Sequence, residues 1–394
     1  YSSPEKWCWV HLPVSFENYT KSKKKVQSQS YLENGKLAVV DQGQELVGGY
    51  TDDESMAYSG ELPVIIFGDH TRCIKYIDFL FAQGADGVKV LRPKSFYHIK
   101  AFYFALHSID IPNMGYRRHY PLFQQFSIPV PPLPEQQRIV DHIEHLFSKL
   151  DEAKEKAQAV VDGFELRKSA ILHKAFTGEL TAQWRKDHGI KLDSWEIRPL
   201  IEVASLQTGL MKGKHYEGET VFLPYLRVAN VQDGFLDLKE IKTIEINASN
   251  VERYLLKKGD VLFTEGGDFD KLGRGTVWEE EILNCLHQNH IFVVRPHKNI
   301  LNPYFLSFQA GSKYGKSYFL SCSKQTTNLA SINSTQLKRF PVKLPSLEEQ
   351  LQIVSVIGNL FSMESQAKTS AESVLTKVDL IKKSILARAF RGEL

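Results

Sequence analysis

A compact group of cysteine and histidine residues is the first place in this sequence where side chains could do chemistry. Cys285, His287 and His290 fall within six residues, and sulfur and imidazole nitrogen are ligands that zinc prefers. No fourth ligand is evident nearby, and the apolar run 291–294 that follows is typical of a strand. The pattern therefore favours structural roles for these three residues over a metal site.

Other segments approach enzyme motifs without completing them. Residues 209–215 are one residue short of a phosphate-binding loop and end in His where Ser or Thr would be needed. Residues 302–305, Asn-Pro-Tyr-Phe, lack the second proline of the adenine-methyltransferase motif, so we predict a helix cap there with proline in the first turn. The scattered acidic residues Asp260, Glu265 and Asp268 define no nuclease spacing. The sequence therefore predicts a protein that is not itself an enzyme.

The composition is that of a globular protein. The chain has 394 residues, 42% hydrophobic and 24% charged, and a length that suggests two or three domains. No apolar run reaches the ~18 residues of a membrane helix, and no secretory signal is evident at the start. Four cysteines without a CxxC pair argue against a disulfide framework, so we expect a cytoplasmic protein. The net charge of +3 permits nucleic-acid binding without arguing for it.

The chain contains a long internal repeat. Residues 133–180 align without gaps to residues 347–394, and 22 of the 48 aligned pairs are identical. Both copies begin near Glu-Gln, continue through Ile-Val and Leu-Phe-Ser, and close on Ala-Phe-x-Gly-Glu-Leu. A repeat of this length indicates a duplicated structural unit, and it is stronger evidence about the fold than any short motif.

Each copy of the repeat carries apolar residues at alternating steps of four and three, which is the pattern of helices packed along a seam. Arg167 interrupts the first series and Glu364 interrupts the second. Flanking prolines and glycines predict a helix over 139–176 and its counterpart in the second copy. The economical interpretation pairs the two helices antiparallel within one chain, and pairing with another molecule is the alternative. The series are Ile139, Ile143, Leu146, Leu150, Ala153, Ala157, Val160, Phe164 and Ile171, then Ile353, Ile357, Leu360, Ala367, Ala371, Val374, Val378, Ile381 and Ile385.

A more diverged globular segment precedes each helix, at about 1–130 and 190–345. Their edges match, because Trp7 corresponds to Trp195 and Phe126 corresponds to Phe340. Short apolar runs in both segments, such as 63–67 and 259–263, predict strands, whereas 101–109 and 303–308 predict short helices. The order is therefore globule, long helix, globule, long helix, which suggests pseudo-two-fold symmetry.

Two diverged globules joined by two long helices that repeat one motif set resemble the specificity subunits of type I restriction-modification systems. The resemblance covers the whole chain, and its motifs occur twice, in the same order, at fixed spacing. The second helix entrance departs by having Pro-Ser where the first has Pro-Pro. The matched motifs are Trp7 and Trp195 at the globule starts, Pro131 to Gln136 and Pro345 to Gln350 at the helix entrances, and Ala175 to Leu180 and Ala389 to Leu394 at the exits.

The resemblance implies an α+β fold with four segments. Two β-rich target recognition domains, 1–130 and 181–345, would be separated by two long helices, 131–180 and 346–394. The helices would form an intramolecular antiparallel coiled coil with pseudo-two-fold symmetry. Each domain would read one half of a split site in double-stranded DNA, and the helices would set the gap between the halves.

The resemblance also implies partners that carry the chemistry. Two methyltransferase subunits would dock on the paired helices, and restriction subunits would join that core. The chain would bind no cofactor, because S-adenosylmethionine, ATP and Mg²⁺ would belong to those partners. A coiled-coil scaffold with two peptide- or protein-binding domains and no DNA role is the alternative, which the doubled motif set disfavours.

Polar, basic and aromatic clusters in the predicted loops of the globules are the candidates for DNA contact. Arg, Lys, Asn and Gln read base edges, whereas Lys, Arg and hydroxyl groups hold phosphates. Segments 116–120 and 324–328 both precede the matched phenylalanines, so we expect them to occupy related loops. The predicted contacts are Thr71, Arg72, Lys75, Tyr116, Arg117, Arg118 and His119 in the first globule, and Arg227, Asn230, Lys271, Arg274, Lys324, Gln325, Thr326, Thr327 and Asn328 in the second.

Overall fold

A computed structural model describes residues 7–21, 24–85, 87–115, 117–211, 218–267, 272–325 and 330–394. The chain divides into two compact units. The first unit comprises Tyr1–Ala159 with Ala371–Leu394, and the second comprises Val160–Ser370. Each unit therefore contains one globule together with parts of both repeat helices.

The elements of the first globule, through the first long helix, are mostly short strands. The strands are β1 (Cys8–His11), β2 (Phe16–Asn18), β3 (Leu37–Val40), β4 (Gly49–Thr51), β5 (Val64–Gly68), β6 (Ile74–Ile77), β7 (Phe81–Gln83), β8 (Val88–Pro93) and β9 (Ser127–Val130). The helices are α1 (Leu12–Ser15), α2 (Ile99–His107), α3 (Tyr120–Phe123) and α4 (Leu133–Asp162).

The rest of the chain has the same character and ends in the second long helix. The strands are β10 (Glu196–Pro199), β11 (Ala204–Thr208), β12 (Thr220–Leu226), β13 (Lys242–Asn247), β14 (Val261–Thr264), β15 (Gly266–Gly267), β16 (Gly275–Val277), β17 (Leu286–His287), β18 (Ile291–Pro296), β19 (Lys324–Gln325), β20 (Ala330–Ser331) and β21 (Pro341–Leu344). The helices are α5 (Phe164–Phe176), α6 (Ala182–Asp187), α7 (Leu200–Val203), α8 (Val251–Tyr254), α9 (Pro303–Gly311), α10 (Lys313–Cys322), α11 (Ser334–Lys338) and α12 (Leu347–Ala389). No helix in the described ranges is long and apolar enough to cross a membrane.

The two globules repeat one sheet topology. The first has sheets of order β2-β8-β5-β6, β4-β3-β7 and β1-β9, and the second has β11-β18-β14-β16, β13-β12-β17 and β10-β21 in the corresponding places. Even the parallel pairings correspond, because β3 pairs parallel with β7 and β12 pairs parallel with β17. The duplication evident in the helix sequences therefore extends to the diverged globules, and the predicted α+β fold is confirmed.

A buried glutamine fixes each globule to the start of a long helix. The side-chain oxygen of Gln136 accepts a hydrogen bond of 2.6 Å from the backbone N–H of His98, just before α2. Gln350 accepts one of 2.8 Å from Asn302, just before α9. Both glutamines are fully buried, and their amide groups also donate to backbone carbonyls. The repeated Glu-Gln motif is thus explained by its second residue, which satisfies buried backbone groups in both copies.

The long helices pack antiparallel in each unit. In the first unit, Lys382 forms an ion pair of 2.5 Å with Asp151, and Lys154 lies 3.5 Å from Asp379. Later residues of one helix thus meet earlier residues of the other. In the second unit, Lys168 lies over the ring of Phe361, and Lys368 lies over that of Phe164. The predicted pairing within one chain is therefore confirmed.

The two residues that interrupt the apolar series contact each other. Arg167 Nε donates a hydrogen bond of 2.6 Å to Glu364 Oε2 in the second unit. A polar pair at one seam position is a common device for setting helix register. The four seam alanines differ in burial. Ala157 and Ala371 are buried as predicted, whereas Ala153 and Ala367 are exposed.

The first long helix is interrupted, and its predicted span of 139–176 was wrong in two respects. It begins earlier, at Leu133, because the prolines there fit the first turn of a helix. It also breaks at Gly163, where the second copy has Lys377 and α12 runs on unbroken. Glycine lowers helix stability by about 1 kcal/mol relative to alanine. Arg167 Nη2 donates to the Val160 carbonyl at 2.7 Å and so satisfies a backbone group beside the break.

Replacing Gly163 by alanine is expected to stabilise the protein. The glycine has φ −77° and ψ −4°, which alanine adopts without strain. Alanine lowers the conformational entropy of the unfolded chain, so we expect the free energy of unfolding to rise by about 0.4–1 kcal/mol. Urea denaturation would measure the change. The matched control, Lys377→Gly in the continuous helix, should instead lower the free energy of unfolding by about 1 kcal/mol. A loss of stability in Gly163→Ala would contradict this explanation of the break.

Candidate nucleic-acid interface

The first predicted cluster lies at the turn between β5 and β6. Arg72 has a left-handed backbone, with φ 62°, and its N–H donates to the Gly68 carbonyl at 2.8 Å. Its Nη1 donates to the carbonyl of Ile111 at 2.7 Å, on the segment that leads to Arg117. Thr71 Oγ1 donates to the Gln42 carbonyl at 2.5 Å. The turn is thus held by its own side chains and is tied to the second predicted cluster.

That second cluster is anchored on the same turn through Asp69. The backbone N–H of His119 donates to the Asp69 carbonyl at 2.7 Å, and the N–H of Tyr120 donates to Asp69 Oδ1 at 2.8 Å. Arg117 and Arg118 are exposed and have no ion pair with any described residue. The structure therefore brings together two segments that are about 50 residues apart in sequence, with two unpaired guanidinium groups at the surface.

Lys75 and His119 point inward. Lys75 is 5% exposed, its ammonium donates to the Glu45 carbonyl and lies 3.7 Å from Asp41, and burial lowers its pKa. His119 is completely buried. Direct DNA contact by these two residues stays a prediction, and their visible role is to support the sheet and the turn.

Sequence reasoning missed two residues beside Tyr120. Lys89 Nζ lies 5.1 Å from the centre of the Tyr120 ring and 3.9 Å from Asp69 Oδ2. Asn18 Nδ2 donates to the Tyr120 hydroxyl at 3.1 Å. They come from β8 and from the end of β2, and no motif joins such distant residues. Only the pairing of β2 with β8 could have indicated their proximity.

The side chains of Arg227 and Asn230 in the second globule make their contacts within a local turn. The Asn230 side chain accepts from Arg227 N–H at 2.8 Å and donates to the carbonyls of Asp237 and Glu240 at 2.8 and 3.1 Å. Asn230 is 3% exposed, and the Arg227 guanidinium lies 3.3 Å from the Glu240 carboxylate. Their contacts stabilise the segment 227–240, and DNA contact by them stays a prediction.

The remaining predicted segments of the second globule meet at a small sheet of order β15-β20-β19. Gly267 and Gln325 both pair with Ala330, and Lys324 is exposed in β19. Arg274 Nη1 donates to Gln232 Oε1 at 3.1 Å. The other predicted contacts lie outside the described residues; they are Tyr116, Lys271, Thr326, Thr327 and Asn328.

The predicted DNA-contact segments of the two globules occupy corresponding places. In the second globule, the Ile332 N–H donates to the Glu265 carbonyl at 2.8 Å, just after β14. In the first, the His119 N–H makes the same kind of bond to Asp69, just after β5. Both bonds join the segment before the matched phenylalanine to the end of the same strand of the four-stranded sheet. This correspondence supports the expectation of related loops.

The cysteine and histidine group has the environment of structural residues. Cys285 and His287 are buried, which raises the pKa of the Cys285 thiol to about 12 and lowers the pKa of His287 to about 4. His290 Nδ1 lies 2.5 Å from the Glu265 carboxylate. The described residues include no group of three or more His, Cys, Asp and Glu that could hold a metal ion.

Comparison with known proteins agrees with the duplicated architecture. The profile of the family described as the type I restriction modification DNA specificity domain matches residues 193–373. The EcoKI specificity subunit of Escherichia coli K12 is 29% identical over 279 residues, covering 69% of this chain and 58% of that protein. The EcoBI specificity subunit of Escherichia coli is 28% identical over 286 residues, covering 69% and 59%. The chain thus spans under two thirds of the length of these relatives.

A solved structure has the same fold along the full length of the chain. The HsdS subunit from Thermoanaerobacter tengcongensis superposes with a TM-score of 0.63, at 18% identity, over 100% of this chain and 99% of that one. Profile, relatives and fold agree with the doubled motifs and the doubled sheet topology. Residues 193–373 therefore match the type I restriction modification DNA specificity domain, and the whole chain has the fold of the HsdS subunit.

Proposed function

We propose that this chain reads a split site in double-stranded DNA, with each globule reading one half and the paired helices setting the gap. The functional segments in this proposal are 1–130, 131–180, 181–345 and 346–394. The observation that carries it is that one sheet topology occurs twice, with a polar segment anchored at the same strand end in both globules. Two equivalent readers suit a site with two specific parts.

The first reading surface consists of Arg117 and Arg118 beside the Asp69–Arg72 turn. Exposed guanidinium groups can make paired hydrogen bonds to guanine or hold phosphates. The corresponding surface of the second globule surrounds Lys324, beside the three-stranded sheet. Because the two segments differ in sequence while the frameworks correspond, the two halves of the site would differ in sequence.

The partners in this proposal are two methyltransferase subunits, joined by restriction subunits. Leu166 and Leu380 are aligned in the repeat and are 75% and 66% exposed on their helices. Most other large apolar residues kept in both copies are at least half-buried, so packing within the chain does not account for retaining these two. Exposed apolar residues at matched positions fit two identical partners, each contacting one of them.

The chain contributes recognition and no catalytic step in this proposal. Methyl transfer and ATP-driven steps, with S-adenosylmethionine, ATP and Mg²⁺, belong to the partner subunits. The four cysteines are free thiols, which is consistent with a cytoplasmic location.

A globule exchange tests the assignment of one half-site to each globule. The hydrogen bond from the Leu12 N–H to the Phe126 carbonyl has an equivalent from Leu200 to Phe340, and both are 2.9 Å. These residues are therefore matched splice points. A chain with 200–340 in place of 12–126 carries the second globule twice. Its complex with the methyltransferase should methylate a site whose two halves are inverted copies of one sequence. Retention of the original site, or loss of specificity in both halves of a stable complex, would defeat the assignment.

A further inference from the structure

We propose that His119 is a positioning residue for the first reading surface, an inference that rests on the proposed DNA-reading function. His119 does not reach the surface itself. One ring nitrogen bonds to the segment before Arg117 and Arg118, and the other bonds to the Asp69 turn. The ring thereby holds that segment against the turn.

The ring of His119 bridges two backbone groups in one tautomer. The Met114 N–H donates to His119 Nε2 at 3.0 Å, so Nε2 must be an acceptor. Nδ1 lies 3.1 Å from the Asp69 carbonyl, so Nδ1 must carry the proton and donate. The side chain is completely buried, where an unmade hydrogen bond is costly. A neutral imidazole with this one tautomer satisfies both backbone groups at once.

The His119 hydrogen bonds close a chain loop, which is attached at both ends to the turn that contains Asp69 and Arg72. Arg72 Nη1 bonds to the Ile111 carbonyl at one end, and His119 bonds to Asp69 at the other. Met114 lies between these two attachments, three residues before Arg117. The His119–Met114 bond is therefore a third attachment, and it links a residue before the two arginines to the residue that follows them. Without it the arginines would sample more positions, which lowers discrimination between bases.

The second globule makes the corresponding backbone bond without a histidine. There the Ile332 N–H donates to the Glu265 carbonyl, and isoleucine has no ring nitrogen to add a second bond. The small sheet that contains β20 takes over the support on that side. Changes at His119 should therefore affect one half-site only, and the other half-site serves as an internal control.

Two substitutions separate positioning from simple support of the fold. In His119→Gln the side-chain amide reaches the Nε2 position and can accept from Met114. In His119→Asn the amide reaches only the Nδ1 position, so it can donate to Asp69 but leaves Met114 unpaired. Each variant keeps one of the two bonds, so both should have similar stability in urea denaturation.

The readout is methylation of a random-sequence DNA library by each variant in complex with the methyltransferase. Arg117→Ala with Arg118→Ala identifies which half-site the first globule reads. His119→Asn should lower base discrimination at that half-site about tenfold, because the bond that ties Met114 to the side chain at position 119 is lost, and leave the other half unchanged. His119→Gln should stay within about threefold of the wild-type chain, because the bond to the arginine segment is kept.

The inference is overturned if the Asn variant discriminates as the wild type does, if both half-sites weaken alike, or if Gln fails as badly as Asn. Loss of both arginines with no effect at either half-site would also overturn it, because nothing would remain for His119 to position. That result would leave sequence-specific methylation intact. A wild-type complex that methylates without any sequence preference would instead remove the proposed function itself.

Discussion

A chain with both Leu166→Asp and Leu380→Asp is expected to hold no methyltransferase subunit, whereas either single variant should hold one. Each leucine is exposed in the isolated chain, so the changes should leave folding unaffected. In the complex each would place an uncompensated carboxylate in an apolar contact. We expect an affinity loss of about 100-fold at the altered position, since burying a charge adds to the lost apolar burial.

Native mass spectrometry of the purified complexes reads the stoichiometry directly. Met363→Asp is the matched control, because Met363 is 65% exposed on the same type of helix but its counterpart in the other copy is Lys149. This control should still bind two methyltransferase subunits. Full binding by the double variant would show that the partners do not use the repeated leucines.

Glu349→Gln is expected to destabilise the second unit by about 3–5 kcal/mol, because it leaves a buried cation without its counter-charge. Glu349 is fully buried and accepts from Arg185 Nη1 at 2.5 Å, from Thr181 Oγ1 at 2.7 Å and from Trp195 Nε1 at 2.9 Å. The Arg185 side chain is 7% exposed, so solvent cannot replace the lost carboxylate. The network attaches the connecting segment around α6 to the start of α12.

The repeat supplies a matched control at Glu135, the counterpart of Glu349. Glu135 pairs with Arg138 on the surface at 2.7 Å, and such exposed pairs contribute about 0–1 kcal/mol. Glu135→Gln should therefore shift the urea midpoint little, while Glu349→Gln shifts it strongly. Equal shifts in the two variants would contradict the difference in burial on which the prediction depends.

Periodic and local features of this fold could be predicted from the sequence. The apolar series of the long helices repeats over many turns, and the strands around Val64 and Val261 are apolar runs bounded by turns. The helix cap at Asn302 is equally local, and its side chain accepts from Tyr304 and Phe305 as predicted. These features depend on neighbours within a few residues, which a single sequence displays.

Features that depend on distant contacts could not be predicted. Glu135 and Glu349 stand in the same motif, yet Glu135 pairs with Arg138 at the surface and Glu349 is buried against Arg185 and Thr181. The role of His119 depends on Asp69, about 50 residues earlier in the chain. Clusters of polar residues therefore marked the candidate DNA-contact segments, but did not indicate which members face outward. Arg117 is exposed, whereas His119, two residues on, is completely buried.

The most direct test of two readers separated by a fixed gap is methylation of random-sequence DNA by this chain co-expressed with its methyltransferase, read out base by base. We expect one split motif, with two specific parts and a gap of constant length. A stable complex whose methylation ignored sequence, or one that recognised a single uninterrupted motif, would contradict it.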